Sequence, residues 1–235
     1  MMPTGSEPAW SPMDAVGFGW NVVTKRFSTV ALPLAIGWFV PIFILYVVIF
    51  GSTFAAGALE GGGVIDRSMS DVMRMGATSV GGILWIVVMS FMLGGIAQTA
   101  LKAARGQPVT YADPFSGGRY FVQFFVALIV SVVATSIGFA LCIVPGVILS
   151  LGLSLQGFLI VDQNLTGVEA LKRSWELTKG HRLNIFLFWL ISFFVVLAGE
   201  LACFFGVFLI SYPLLMIAFA WIYLRIKGEH VAQPT

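Results

Sequence analysis

Residues 166–182 read TGVEALKRSWELTKGHR, a strongly polar stretch in a chain otherwise dominated by apolar runs. Thr166 stands three residues before Glu169, the spacing at which each side chain satisfies a backbone N–H of a helix's first turn. Val168, Leu171, Trp175 and Thr178 recur at i, i+3, i+7 and i+10, which is one helical face. Lys172, Arg173, Glu176 and Lys179 occupy the remainder, with Glu169 and Arg173 at a favourable i,i+4 spacing. Gly180 supplies a left-handed stop. The stretch predicts a helix over about 166–180, roughly 13 residues and about 20 Å long, lying flat at a membrane surface.

The rest of the chain supplies the membrane. Of 235 residues, 58% are hydrophobic and 10% charged, with mean hydropathy +0.95. Soluble domains carry about 25% charged residues, so the composition predicts an all-α, polytopic integral membrane protein. A net charge of +2 gives no basis for nucleic-acid binding. The first fourteen residues hold Pro3, Glu7, Pro8, Pro12 and Asp14, with no basic start or short apolar core, and do not read as a secretory signal. Residues 1–10 and 229–235 read as flexible ends.

The surface-helix pattern occurs twice. Ser11 and Asp14 repeat the cap spacing, and Pro12 falls at the first helical position, where its missing N–H costs nothing. Met13, Val16, Trp20, Val23 and Phe27 form an apolar stripe. A shift of 155 positions overlays Ser11 on Thr166, Asp14 on Glu169, Ala15 on Ala170, Val16 on Leu171 and Trp20 on Trp175. This is a weak internal repeat of one unit, an interfacial helix feeding a transmembrane hairpin. Thr110 and Asp113 give a third start signal, with Pro114 and Gly117-Gly118 making that surface element short or broken.

Six spans follow, at about 27–50, 72–101, 120–142, 146–161, 183–203 and 206–224, paired as three hairpins. Pro33, Pro41 and Pro213 should bend their spans. The stretch 51–71 reads as a Gly-rich loop, with the helix restarting at residues 68–71. Residues 120–161 and 183–224 are each 42 long, two spans apiece, with turns near 142–146 and 203–206. Gly81, Gly82, Gly94 and Gly95 permit close packing on the second span. Ala127, Ser131 and Thr135 make a small-residue stripe on the third, as Gly146, Ser150 and Ser154 do on the fourth, which favours tight packing between them. Eleven of the thirteen basic residues fall on one side of this scheme: Lys25, Arg26, Lys102, Arg105, Arg119, Lys172, Arg173, Lys179, Arg182, Arg225 and Lys227. Only Arg67 and Arg74 fall on the other. The excess marks the cytoplasmic face of a bacterial inner membrane, with both termini inside.

Candidate chemistry is sparse. Glu200 is a carboxylate inside or at the edge of a span, and intramembrane acids are functional candidates; the alternative is water at the adjacent turn. Gln98 and Gln156 complete a possible intramembrane polar site, although interhelical hydrogen bonding also explains them, as it does Gln123 and Asn184. Cys142 and Cys203 lie at predicted outer turns, where they would either form a disulfide in an oxidising compartment or pack as small apolar thiols. His181 and His230 are too isolated for a metal, and Asn164-Leu165-Thr166 matches a glycosylation sequon on the wrong side of the membrane. No nucleophile–base pair, phosphate loop or carboxylate dyad appears, so neither catalytic residues nor a cofactor is expected. The cluster Lys172, Arg173, Trp175, Lys179, His181 and Arg182 is the binding candidate, joined by Trp20, Lys25 and Arg26. Each cation there attracts anionic lipid headgroups by about 1 kcal/mol; the rival account is that these residues only orient the spans.

Val144-Pro145-Gly146, a Leu/Ser-rich span, and then Glu169-Ala170-Leu171-Lys172-Arg173-Ser174-Trp175-Glu176-Leu177-Thr178-Lys179-Gly180 together resemble a bacterial family. This is the membrane domain attached to some glycerophosphodiester phosphodiesterases, with related multi-pass inner-membrane proteins. The resemblance covers about residues 144–188 and implies location and fold. The phosphodiesterase catalytic domain has no counterpart here, so hydrolysis is not implied. The expectation is a non-enzymatic, lipid-interacting protein that assembles with copies of itself. The alternative is a transporter or channel for a small solute or peptide, with a polar cavity around Glu200, Gln98 and Gln156.

Overall fold

The computed structural model describes residues 10–202, 206–229 and 231. Among these the secondary structure is entirely helical. Helix α1 (Pro12–Lys25) opens with the expected capping box: the Asp14 N–H donates to Ser11 Oγ at 3.2 Å, and the Ser11 N–H donates to the Asp14 carboxylate at 3.0 Å. A π-helical stretch, Phe27–Ala31, leads into α2 (Leu32–Gly61), and α3 runs over Arg67–Ala104. A 3-10 segment, Asp113–Tyr120, precedes α4 (Phe121–Leu141), α5 (Ile143–Gly152) and α6 (Gln156–Gln163). Helix α7 (Gly167–Leu177), α8 (Arg182–Ala202), a second π-helical stretch (Val207–Ser211) and α9 (Tyr212–Lys227) complete the order. Six stretches are long and apolar enough to cross a bilayer: Phe27–Gly61, Arg67–Ala104, Asp113–Leu141, Ile143–Gln163, Arg182–Leu201 and Val207–Lys227.

Several boundaries differ from the sequence reading. The stretch 51–71 is mostly helix, because Ala55, Ala56, Ala58 and Leu59 are good helix formers and α3 lies alongside. Ala56 is buried and its carbonyl accepts from Ser70 Oγ at 3.4 Å, while Arg74 pairs with Glu60 at 3.1 Å. Asp66, not Ser68, caps α3, accepting from the Met69 N–H at 2.9 Å. The reversal after α4 takes one residue: Cys142 is extended between two helices, exposed and with a free thiol. Cys203 lies outside the described residues, as does the expected turn at 203–206 in large part. The two π-helical stretches end one residue before Leu32-Pro33 and Tyr212-Pro213. A proline ring clashes with the carbonyl four residues back, and a widened turn moves that carbonyl aside.

The largest departure is in the fourth span, which is two helices. Residues 153–155 form a turn between α5 and α6. Helix α6 is buried at Phe158, Leu159, Ile160 and Val161, among Ile96, Ala100 and Leu101 of α3 and Ile217 to Leu224 of α9. The core therefore gathers at the basic end of the spans. At the other end, Phe43 to Phe54, Met69 to Val87 and Phe193 to Leu201 carry many exposed large apolar side chains.

Three lead-in elements, α1, the 3-10 segment that begins the third span, and α7, lock onto neighbouring spans through glycines. The 3-10 segment packs on α3, where a Cβ on Gly95 would strike the Pro114 carbonyl and one on Gly117 the Phe91 carbonyl. Helix α1 packs on α9, and a Cβ on Gly19 would lie 2.5 Å from the Leu214 carbonyl. Helix α7 packs on α4 and α6, and Gly167 stands in the same relation to the Gln123 carbonyl, also at 2.5 Å. The tight contact between α4 and α5 is at Gly138 and Gly146, 3.0 Å for an added Cβ, rather than between the two predicted stripes. Ser150 and Thr135 instead donate to carbonyls of their own helices.

Gly95→Ala should lower the unfolding midpoint in detergent by the equivalent of about 1–3 kcal/mol, since backbone rather than a side-chain tip must yield. Gly82→Ala adds a Cβ with nothing within 4 Å and should be neutral or stabilise by up to about 1 kcal/mol. Differential scanning fluorimetry separates the two; equal midpoints would refute the backbone contact.

Candidate functional site

Helix α7 forms with both halves of its capping box. The Thr166 N–H donates to the Glu169 carboxylate at 3.1 Å and the Glu169 N–H donates to Thr166 Oγ1 at 3.4 Å. The Thr166 hydroxyl and N–H hold the Glu169 carboxyl below its usual range. That carboxylate is thus engaged locally, and Arg173 pairs with Glu176 at 3.1 Å instead of with Glu169. The buried face also differs from the expected one. Gly167, Ala170, Leu171, Ser174 and Thr178 are buried, Trp175 is half-buried, and Val168 is 45% exposed. Small residues face inward because α7 sits against backbone.

That backbone is the break in the fourth span. Ser174 Oγ donates to the Gly152 carbonyl at 2.8 Å and accepts from the Leu155 N–H at 3.1 Å. Thr178 Oγ1 also donates to the Gly152 carbonyl, at 3.3 Å. The Trp175 ring lies against Gly152, where any Cβ would collide with it. Helix α7 is therefore a structural stitch as well as a charged surface.

On its outer side α7 closes a groove of about 410 Å³. Val130 and Ala134 of α4 and Leu149 and Leu153 of the fourth span form the floor; Lys172, Glu176 and Lys179 form the rim beside Trp175. No hydrogen bond, ion pair or ring contact among the described residues engages Lys172 or Lys179. Arg182 stacks on Trp175 at 3.9 Å, and its buried Nε and Nη2 find no hydrogen-bond partner among the described residues. His181 lies 6.1 Å, ring to ring, from Trp10. The structure thus brings Lys172, Arg173, Trp175, Lys179 and Arg182 to one place. Trp20, 52% exposed, and Lys25 and Arg26, at the end of α1, belong to a helix that packs on α9 and α8. The α1 stripe is split: Val23 is buried and Val16 half-buried, whereas Met13, Trp20 and Phe27 are exposed, and Ala15, Phe18, Gly19 and Val22 complete the buried face.

The predicted intramembrane polar site is dispersed. Glu200 is exposed on α8; Gln98 accepts from Ser116 at 3.0 Å; Gln156 accepts from Ser131 at 2.8 Å. Of the three, only Gln156 lines the cavity of about 160 Å³ between α3, α4, α6 and α9, whose walls are mostly apolar, including Phe124, Phe158 and Phe219.

The sequence reading missed a charged clasp. Asp162, near the end of α6, accepts from Arg105 at 2.6 Å, Lys227 at 2.6 Å and Tyr223 Oη at 2.7 Å. Glu229 closes the ring through Arg105 at 2.7 Å and Lys227 at 2.5 Å. Burial opposes the charge on Glu229, but hydrogen bonds from Lys227 and Arg105 hold its carboxyl below the usual range. The clasp ties the ends of α3, α6 and α9 together. Its available signal was an acid at the end of an apolar run facing two basic helix ends, but sequence alone does not pair residues 57 and 65 apart.

Six apolar helices with these polar fastenings define a multi-pass membrane protein. The chain is similar to Uncharacterized protein Rv2560 of Mycobacterium tuberculosis H37Rv, 27% identical over 228 residues that cover 94% of this chain and 70% of the relative. Uncharacterized protein Mb2590 of Mycobacterium bovis matches at the same identity and coverage. No family model matches the chain, and no solved structure does.

Two variants test the fastenings. Ser174→Ala leaves the Leu155 N–H without its partner, at about 1–3 kcal/mol, whereas Thr178→Val should cost less because the Gly152 carbonyl keeps Ser174. Equal effects in thermal unfolding would count against the stitch. Asp162→Asn removes the more buried of two anions shared by Arg105 and Lys227 and should cost about 1–3 kcal/mol, more than Glu229→Gln; the opposite order in the same assay would refute the clasp as drawn.

Proposed function

We propose that this chain is a non-enzymatic protein of the bacterial inner membrane, built of three transmembrane hairpins, that gathers anionic lipid at its cytosolic face and assembles with copies of itself. Each hairpin is led by an interfacial element: α1, the 3-10 segment and α7. Both termini are cytosolic in this reading, which the eleven-to-two division of basic residues supports. The resemblance of residues 144–188 to the membrane domain of glycerophosphodiester phosphodiesterases belongs to this reading as location and fold.

The observation that carries the lipid part is the state of Lys172 and Lys179. Lys102 is paired with Asp113, Arg105 and Lys227 with the clasp, and Arg173 with Glu176. Arg119, Arg182 and Arg225 lie over Tyr120, Trp175 and Trp221. Lys172 and Lys179 are exposed and engaged by none of these contacts. Lysines held so at a membrane surface attract anionic headgroups. Self-assembly is supported by the surface that one chain leaves open on the first, third and fifth spans, whose apolar windows are only 22%, 17% and 11% buried. The dispersal of Glu200, Gln98 and Gln156 removes the specific support for a transporter.

Single-molecule photobleaching of labelled protein in liposomes tests the proposal. Subunits per spot should exceed the random-occupancy value and rise with the phosphatidylglycerol fraction. Lys172→Glu with Lys179→Glu should flatten that rise. Single subunits at every lipid composition would refute the assembly.

A further inference from the structure

We infer that the groove between α4, α5 and α7 is a stoichiometric site for one anionic phospholipid, its phosphate held between Lys172 and Lys179 and an acyl chain laid on Ala134, Leu149 and Leu153. The inference rests on the lipid reading above and sharpens it from a diffuse attraction to a built site.

Three features fit that occupant. The volume, about 410 Å³, falls within the range of small-molecule sites. The chemistry is divided as in a phospholipid, with an apolar floor on two spans and two cations at the mouth. Lys172 lies on α7 and Lys179 in the turn just after it, both on the rim of the groove, where two flexible four-carbon stems can close around a single phosphate. Glu176 sits between them on the rim, but its carboxylate is paired with Arg173 at 3.1 Å, so the mouth keeps its positive sign. Behind the Trp175 wall, Arg182 adds a guanidinium with two buried N–H-bearing nitrogens that no described hydrogen bond engages. A ring stacked on a cation and held against Gly152 gives the groove a fixed wall beside the two lysines.

A built site and a diffuse ring of charge behave differently in salt. Exposed charges are screened within about 3 Å at 1 M ionic strength, while a lipid seated by its chain as well as its phosphate is retained. The full chain, purified from membranes and exchanged into mild detergent with equal phosphatidylglycerol and phosphatidylethanolamine, should carry one phosphatidylglycerol per chain in native mass spectrometry after a 1 M salt wash. Lys172→Gln with Lys179→Gln should weaken that retention about thirty-fold, the equivalent of about 1 kcal/mol per lysine, without changing the unfolding midpoint of lipid-free protein. Ala134→Trp, which fills the floor, should remove the bound lipid whatever its headgroup, and Leu149→Trp serves the same purpose should the first variant misfold. Retention unchanged in the lysine variant, or equal retention of both lipids, would overturn the inference. So would a chain dimer whose interface cross-links through Ala134→Cys, which would make a second copy the occupant. The readout is per chain and holds for monomers, so a failure of assembly in liposomes leaves it intact, and its failure leaves assembly standing.

Discussion

The hydroxyl of Ser174 donates to the Gly152 carbonyl and accepts the Leu155 N–H, and the surrounding architecture depends on that bridge. Helix α5 has 10 residues, about 15 Å, half of a hydrocarbon core about 30 Å thick. The chain must therefore continue through α6, across a turn whose backbone groups cannot be left bare in an apolar setting. A continuous helix would solve this within itself. Here the solution comes from another element, so α7 is fixed in place by the span it repairs, and Trp175 can lie on Gly152 only because that position has no Cβ. With α6 set off from α5, its four buried residues become the centre on which α3 and α9 pack.

The same logic organises the other two lead-in elements, with different chemistry. Each rests on a span other than the one it leads into: α1 on α9, the 3-10 segment on α3, and α7 on α4 and α6. The chain order is thus closed into a ring, the first element held by the last span. Each contact brings backbone near backbone at a glycine, at Gly19, at Gly95 with Gly117, and at Gly167. Such approaches gain dispersion that lipid tails cannot match, and they leave no room for sliding. The clasp adds a charged fastening at the same end, where Asp162, Tyr223, Arg105, Lys227 and Glu229 satisfy one another.

Much of this was legible from local signals. Both capping boxes, the lead-in helices and six apolar stretches follow from spacing and composition, because a cap involves neighbours three residues apart and a span is a run. The repeat between residues 11–20 and 166–175 also has a structural meaning: Gly19 and Ser174 overlay under the same shift, and both meet a carbonyl of a neighbouring span. The apolar stripes coincide with the buried faces only in part. Of those stripes Leu171, Thr178 and Val23 are buried, whereas Val168 and Trp20 are exposed, and small residues outside the stripes, Ala15 and Gly19 on α1 and Ala170 and Ser174 on α7, share the buried faces. The break at 153–155 carries no proline and no local marker beyond Gly152, and its cause lies at Ser174 and Thr178, more than twenty residues away. Asp162 escaped for the same reason.

The charge count, finally, means something different once the structure is known. Eleven basic residues at one end describe where the chain points, but not how many cations are available to a partner. Ion pairs with Asp113, Asp162, Glu176 and Glu229 engage four of them, and aromatic faces engage three arginines. An arginine stacked on an indole keeps its charge but loses freedom of direction, so it tunes a surface more than it grasps a ligand. Among the described residues, Lys172 on α7 and Lys179 in the turn just after it take part in no hydrogen bond, ion pair or ring contact, and α7 is the helix whose position is set by the broken span. The geometry that makes the fourth span viable therefore also fixes where the unengaged charge stands, and a change to the stitch at Ser174 must move Lys172 and Lys179 with it.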